Sequence, residues 1–175
     1  MVNKVFTTQE IKIASLLEGK FDFDLKEKWA LISIYHIPGK PVVNDSTDIK
    51  TLRSKGCKKV LSVCFGDYTY NEFIWYQKEY KTAPQHINLI TKTQACSIVR
   101  FIKHLRKNEE IKTLVVQCRA GISRSGAVGL YACRYFKLNE NEFLKSGTIR
   151  PNWFVYKMLS DIHNPLPLIQ REVVE

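Results

Sequence analysis

Residues 114–126 read LVVQCRAGISRSG and bring a thiol, two arginines, two serine hydroxyls and two glycines into one short stretch. The aliphatic run Leu114–Val116 leads through Gln117 to Cys118, the pattern of a strand buried on both faces. Beyond Arg124, the apolar stretch SGAVGLYACRYF (125–136) reads as a buried helix. A chain that turns sharply after Cys118 and enters that helix near Arg124 can aim the N–H groups of residues 119–124 at one point. With the helix N-terminus they form a preorganised anion site. A thiol beside such a site is favoured as the thiolate, the nucleophilic form, and on the floor of a phosphate cradle it is aimed at phosphorus. Arg124 offers a planar fork that can hold two oxygens and stabilise them as charge shifts, which a lysine cannot do. Gly121 lets the backbone approach an anion with no Cβ in the way. Ser125 can hydrogen-bond the sulfur and stabilise it as a leaving group. Arg119, Ala120, Ile122 and Ser123 complete the expected phosphate-binding loop, 118–125.

The string CRAGISRS is cysteine, five residues, arginine, serine. It resembles the phosphate-binding loop of the cysteine-based protein tyrosine and dual-specificity phosphatases. Its AGISRS portion is most similar to the dual-specificity branch and its small bacterial and viral relatives. The specific motif is confined to 114–126, while the organisation of residues 28–163 is similar in outline. The resemblance implies an α/β fold with a central, mostly parallel sheet flanked by helices. It implies a hydrolase that works through a cysteinyl-phosphate with no cofactor and no metal. Phosphorylated proteins are the implied partners, as phosphotyrosine or phosphoserine/threonine. Cys118 is then the nucleophile, and Arg124 and Ser125 are its catalytic neighbours.

Two positions depart from the family pattern. Gln117 stands where a histidine usually precedes the cysteine. Residues 84–88, Pro-Gln-His-Ile-Asn, carry no carboxylate where the general acid usually lies. Departure of an alkoxide or aryloxide needs a proton donor. Asp67 is the expected acid, since it directly follows the apolar run KKVLSVCF (58–65), where the family's acid loop begins. Glu72 and Glu79 are the fallback acids, and His86 is a weaker candidate. Asp45 and Asp48 read as turn residues.

The elements that must position these groups alternate in type, which is the signature of an α/β domain. TTQEIKIASLLEG reads as a helix, with Thr7 and Glu10 at capping-box spacing and Gly19 as its stop. KWALISIYHI (28–37) and KKVLSVCF read as strands, and residues 38–48 as a loop. Residues 66–90 form a long aromatic segment that is either functional or hides a short helix. Its aromatics, Tyr68, Tyr70, Phe73, Trp75, Tyr76 and Tyr80, are expected chiefly to pack, with a substrate-facing wall as the other reading. Ala95, Ile98, Val99, Ile102 and Leu105 have helical spacing. Residues 111–117 form the third strand. Asn139 and Glu142 cap a short helix ended by Gly147. A last helix carries Phe154, Val155, Met158, Leu159 and Ile162 on one face.

The chain has 175 residues, 45% of them hydrophobic, a formal net charge of +10 and a pI near 9.4. That length supports a core and reads as one phosphatase-like domain over 1–175. No apolar stretch is long enough to span a membrane, and the first residues lack a signal-peptide pattern, so a cytoplasmic protein is expected. The positive charge favours polyanionic or phosphorylated partners. It admits RNA as a partner and, through the family's viral relatives, an RNA 5′-phosphatase. A phosphate-recognition module without turnover is the other alternative. Oligomeric state stays open. The cysteines Cys57, Cys64, Cys96, Cys118 and Cys133 form no CxxC pair and read as free thiols. Cys96 and Cys133 read as helix core, and Cys64 as core or as a disulfide partner for Cys118 on oxidation. Lys55, Lys58 and Lys59 form a basic cluster that reads as a solvated face or as an extension of the positive field.

Overall fold

The structure, a computed structural model, describes residues 1–20, 22–23, 25–37, 40–43, 45–80, 88–145 and 149–163. In chain order its elements are β1 (Lys4–Gln9), α1 (Glu10–Leu17), β2 (Trp29–Tyr35), α2 (Ser46–Ser54), β3 (Cys57–Cys64) and α3 (Tyr70–Tyr80). These are followed by α4 (Lys92–Arg106), β4 (Thr113–Cys118), α5 (Arg124–Phe136), α6 (Glu140–Lys145) and α7 (Trp153–His163).

The strands form one parallel sheet in the order β1-β4-β2-β3. The two central strands are buried throughout, apart from the partly exposed Tyr35 at the end of β2. That is why WALISIY and TLVVQC read as near-continuous apolar runs. Helices cover both faces. On one, α1 and α2 bring Ile13, Leu16 and Leu52 onto Leu31 and Val115. On the other, α4, α5 and α7 pack Ile98, Ile102, Val128 and Leu159 onto Ala30, Ile32, Leu114 and Val116. The expected α/β class with a mostly parallel sheet is therefore present. Among the described residues, no helix is long and apolar enough to cross a membrane.

Two local expectations need correction. Thr7 does not cap the first helix: it lies inside β1, paired with Val116 of β4, and α1 begins only at Glu10. The alternation in KVFTTQ is satisfied by strand pairing, and that long-range partner outweighs the local capping pattern. The segment read as a loop up to residue 48 already contains the start of α2. Asp45 is its N-cap, its carboxylate accepting from the N–H groups of Thr47 and Asp48. Residues 66–90 do hide a helix, α3. The expected cap of α6 is present, with Glu142 N–H donating to Asn139 Oδ1, whereas Gly147 lies outside the described residues.

Buried α5 accommodates two glycines. Gly129 is where α6 crosses it, and a Cβ there would overlap the ring of Phe143. Gly129→Ala should lower stability by ~1–3 kcal/mol through overpacking. The expected loss of ~2–10 °C in Tm should be partly recovered when Phe143→Leu is added, and calorimetry of the single and double variants reads both effects.

Candidate active site

The chain leaves β1 toward α1 on one face and leaves its neighbour β4 toward α5 on the other. Adjacent parallel strands whose connections part in this way open a crevice at their C-terminal ends. Residues 118–124 occupy that crevice. The backbone bonds that hold the loop use its carbonyls. Glu10 N–H donates to Arg119 O, Ala127 N–H to Ser123 O, and Asn152 N–H to Ser123 O. Among the described residues this leaves the loop's own N–H groups and the first turn of α5 open to an anion. Gly121 has φ +74°, and a Cβ on it would lie 2.9 Å from the backbone of Thr8 in β1. The glycine is thus required by the turn itself and by the close passage of β1.

Cys118 is buried, and its Sγ is 3.1 Å from Ser125 Oγ. Arg124 is only 4% exposed. Its Nη1 donates to Phe65 O at 2.8 Å, which orients the guanidinium, and its Nε is buried with no hydrogen-bond partner. An unpaired buried N–H of a charged group is costly, so this fork suits an oxyanion. Arg119 and Ala120 are exposed at the loop's rim, and Ile122 and Ser123 are half-buried.

Asp67 is exposed and tied to the loop. Its Oδ1 accepts from Ser123 Oγ at 2.7 Å and from Asn152 Nδ2 at 3.0 Å. Asn152 is 93% buried and also caps α7, with Val155 N–H donating to its Oδ1. In the sequence, Arg150-Pro151-Asn152 marks only the restart of the chain before the last helix. The spacing of Asn152 from Val155 is the signal that could have marked it as a helix cap. The structure brings Cys118, Arg124, Ser125, Ser123 and Asp67 together and leaves the fallback acids elsewhere. Glu72 binds the N–H and Oγ1 of Thr69 at the start of α3, Glu79 is exposed on that helix, and His86 lies outside the described residues. Tyr70 stacks on Phe154 with ring centroids 6.4 Å apart, and both neighbour the Asp67–Asn152 pair in sequence. The side chains of Tyr76 and Tyr80 lie outside the described residues.

His36 likewise stands out only in the structure. It follows β2 at the same end of the sheet. Burial, then the charges of Arg124 and Arg119, hold its imidazole below the usual pKa, so it stays neutral further into the acid range. Gln117 is fully buried on the far side of β4. Ser33 Oγ donates to its Oε1 at 2.7 Å, and its Nε2 has no partner. Gln117 therefore braces β2 against β4 through its side chain.

The other thiols sit in different surroundings. Burial pushes Cys57 and Cys133 up to about 12. Cys64 is also raised by burial, against the pull of Arg124. The disulfide between Cys64 and Cys118 considered from the sequence fails on register. β2 lies between β3 and β4, so two strand spacings, about 9–10 Å, separate the backbones, beyond the ~7 Å that a disulfide tolerates. Cys96 is half-buried rather than core. In the native protein near neutral pH, Cys57 and Cys133 should remain unalkylated by iodoacetamide and react only after denaturation, as peptide mass spectrometry would show.

No protein-family model matches the chain, and no curated protein sequence matches it. Among solved structures, it is similar to Tk-PTP in its active form, at 17% identity and a TM-score of 0.47, over 91% of this chain and 92% of that one. It is also similar to the human tyrosine phosphatase-like serine/threonine/tyrosine-interacting protein, at 16% identity and a TM-score of 0.45, over 85% of each chain. Both are likenesses of overall form at low identity.

Proposed function

We propose that this chain is a phosphatase that hydrolyses phosphomonoesters of phosphorylated proteins, phosphotyrosine or phosphoserine/threonine, through a cysteinyl-phosphate on Cys118. The observation that carries this reading is the buried, unpaired Nε–H of Arg124 in a loop whose first residue is the thiol bonded to Ser125. A phosphoryl group seated there accepts from Arg124 and from the loop N–H groups. The thiolate of Cys118 attacks phosphorus in line, forming the S–P bond as the P–O bond to the leaving oxygen breaks. Asp67 gives its proton to that oxygen. Both bonds to its side chain end on Oδ1, so the proton belongs on Oδ2. Water then attacks the cysteinyl-phosphate, Asp67 takes its proton back, and the S–P bond breaks while Ser125 donates a hydrogen bond to the departing sulfur. The arginine and the loop dipoles stabilise both transition states without reorganising.

Rapid acid quench of the protein with a 32P-labelled aryl phosphate tests this. Label should appear on the peptide containing Cys118 within one turnover, with phosphate released in steady state and chelator present. Tight binding of phosphopeptide with neither label nor release would make the loop a phosphate-recognition module and overturn the enzyme reading.

A further inference from the structure

A second concentration of positive charge lies away from the crevice. Arg53 of α2, Lys58 and Lys59 of β3 and His104 of α4 line a groove of about 460 Å³, with Val60 and Phe101 as apolar lining and no acidic side chain. Among the described residues, none of the four basic groups takes part in an ion pair. Lys55, which the sequence grouped with Lys58 and Lys59, is drawn off to Asp22 at 2.8 Å. The groove begins about 13 Å along β3 from the strand's C-terminal end, so it is separate from the loop at Cys118.

Its position in the fold says what it can hold. α2 and α4 pack on opposite faces of the sheet, so a groove lined by both runs across the sheet's edge. β3 is the last strand in the order β1-β4-β2-β3 among the described residues, and it is eight residues long. A parallel ladder to one neighbour uses only part of a strand's backbone groups, and the rest face outward as a template for another chain. Lysines on such an edge repel a second copy of the same edge. They attract a strand of opposite charge. The outer backbone edge of β3, whose residues 57–60 line the groove, favours a peptide main chain over a nucleic acid, which would ask for stacking surfaces and phosphate contacts alone.

We propose that the β3 edge docks an extended, Asp/Glu-rich segment of a protein partner as an added strand, its carboxylates seated against Arg53, Lys58, Lys59 and His104. Backbone pairing supplies the affinity, and the basic side chains select the sequence. This binding is independent of turnover at Cys118.

The test is fluorescence anisotropy with a labelled peptide of alternating Glu and Thr, at physiological salt, on the full chain. Lys58→Glu with Lys59→Glu should weaken binding about tenfold or more. Lys4→Glu with Lys145→Glu makes the same charge change at the opposite edge of the sheet and should weaken it no more than about threefold. On the unmodified protein, the same peptide N-methylated at alternate residues keeps its charge but loses strand donors, and should bind about tenfold more weakly. Equal losses in the two double variants would reduce the effect to net charge and overturn the proposal. So would undiminished binding of the N-methylated peptide, or displacement of the peptide by a single-stranded RNA of equal charge at lower concentration than by the unlabelled peptide itself.

Discussion

Cys118→Ser is expected to lower the release of phosphate from an aryl phosphate by ~10⁴-fold or more, while phosphate or vanadate still binds. The substitution is close to isosteric, and its neighbour Ser125 Oγ, 3.1 Å from the sulfur, can bond a hydroxyl as readily as a thiol. Arg124 keeps its bond to Phe65 O, and the loop keeps its carbonyl contacts to Glu10, Ala127 and Asn152. The arrangement of the loop therefore survives. What is lost is the thiol nucleophile, since a serine hydroxyl there has no adjacent base to take its proton. Steady-state assay beside calorimetric titration with phosphate separates the two properties. Retained turnover in the serine variant would remove Cys118 from the chemistry.

Asp67→Asn is expected to slow turnover of a substrate with a poor leaving group by ~10²–10⁴-fold. The amide keeps an oxygen at the Oδ1 position, so Ser123 Oγ and Asn152 Nδ2 can still donate to it, and Tm should change little. The amide has no proton to give to a departing oxygen. The penalty should shrink as the leaving group improves, being large for an alkyl or tyrosyl phosphate and small for a nitrophenyl ester. Equal slowing of all esters would place Asp67 in loop support, and no slowing would reassign the acid. Glu72 is a poor replacement because its carboxylate is already committed to the N–H and hydroxyl of Thr69.

Much of the fold was legible because the central strands leave little choice. WALISIY and TLVVQC are buried almost throughout and can satisfy that only inside a covered parallel sheet. α4 was legible from Ala95, Ile98, Val99, Ile102 and Leu105, all buried on one face. β1 was not, since its residues pair with β4 more than a hundred positions away, and a capping pattern in TTQE offered a plausible local alternative. α2 was hidden in a stretch rich in loop-forming residues, although the Asp45 that reads as a turn residue is the one that starts it.

By itself, the sequence determined which chemical groups the loop carries. A cysteine, an arginine and a serine at 118, 124 and 125, between a buried strand and a buried helix, are the basis of the proposed anion site around a thiol, because residue type and short spacing are local properties. Only the tertiary structure decided what surrounds that loop. It turned Arg124 Nε inward without a partner, joined Asp67 to Ser123 through a hydrogen bond and to Asn152 across 85 positions, and put β2 between Cys64 and Cys118. It also left Lys58 and Lys59 on a strand edge far from the cradle. These relations depend on strand order and on which face each connection takes, and contacts between residues distant in sequence set both.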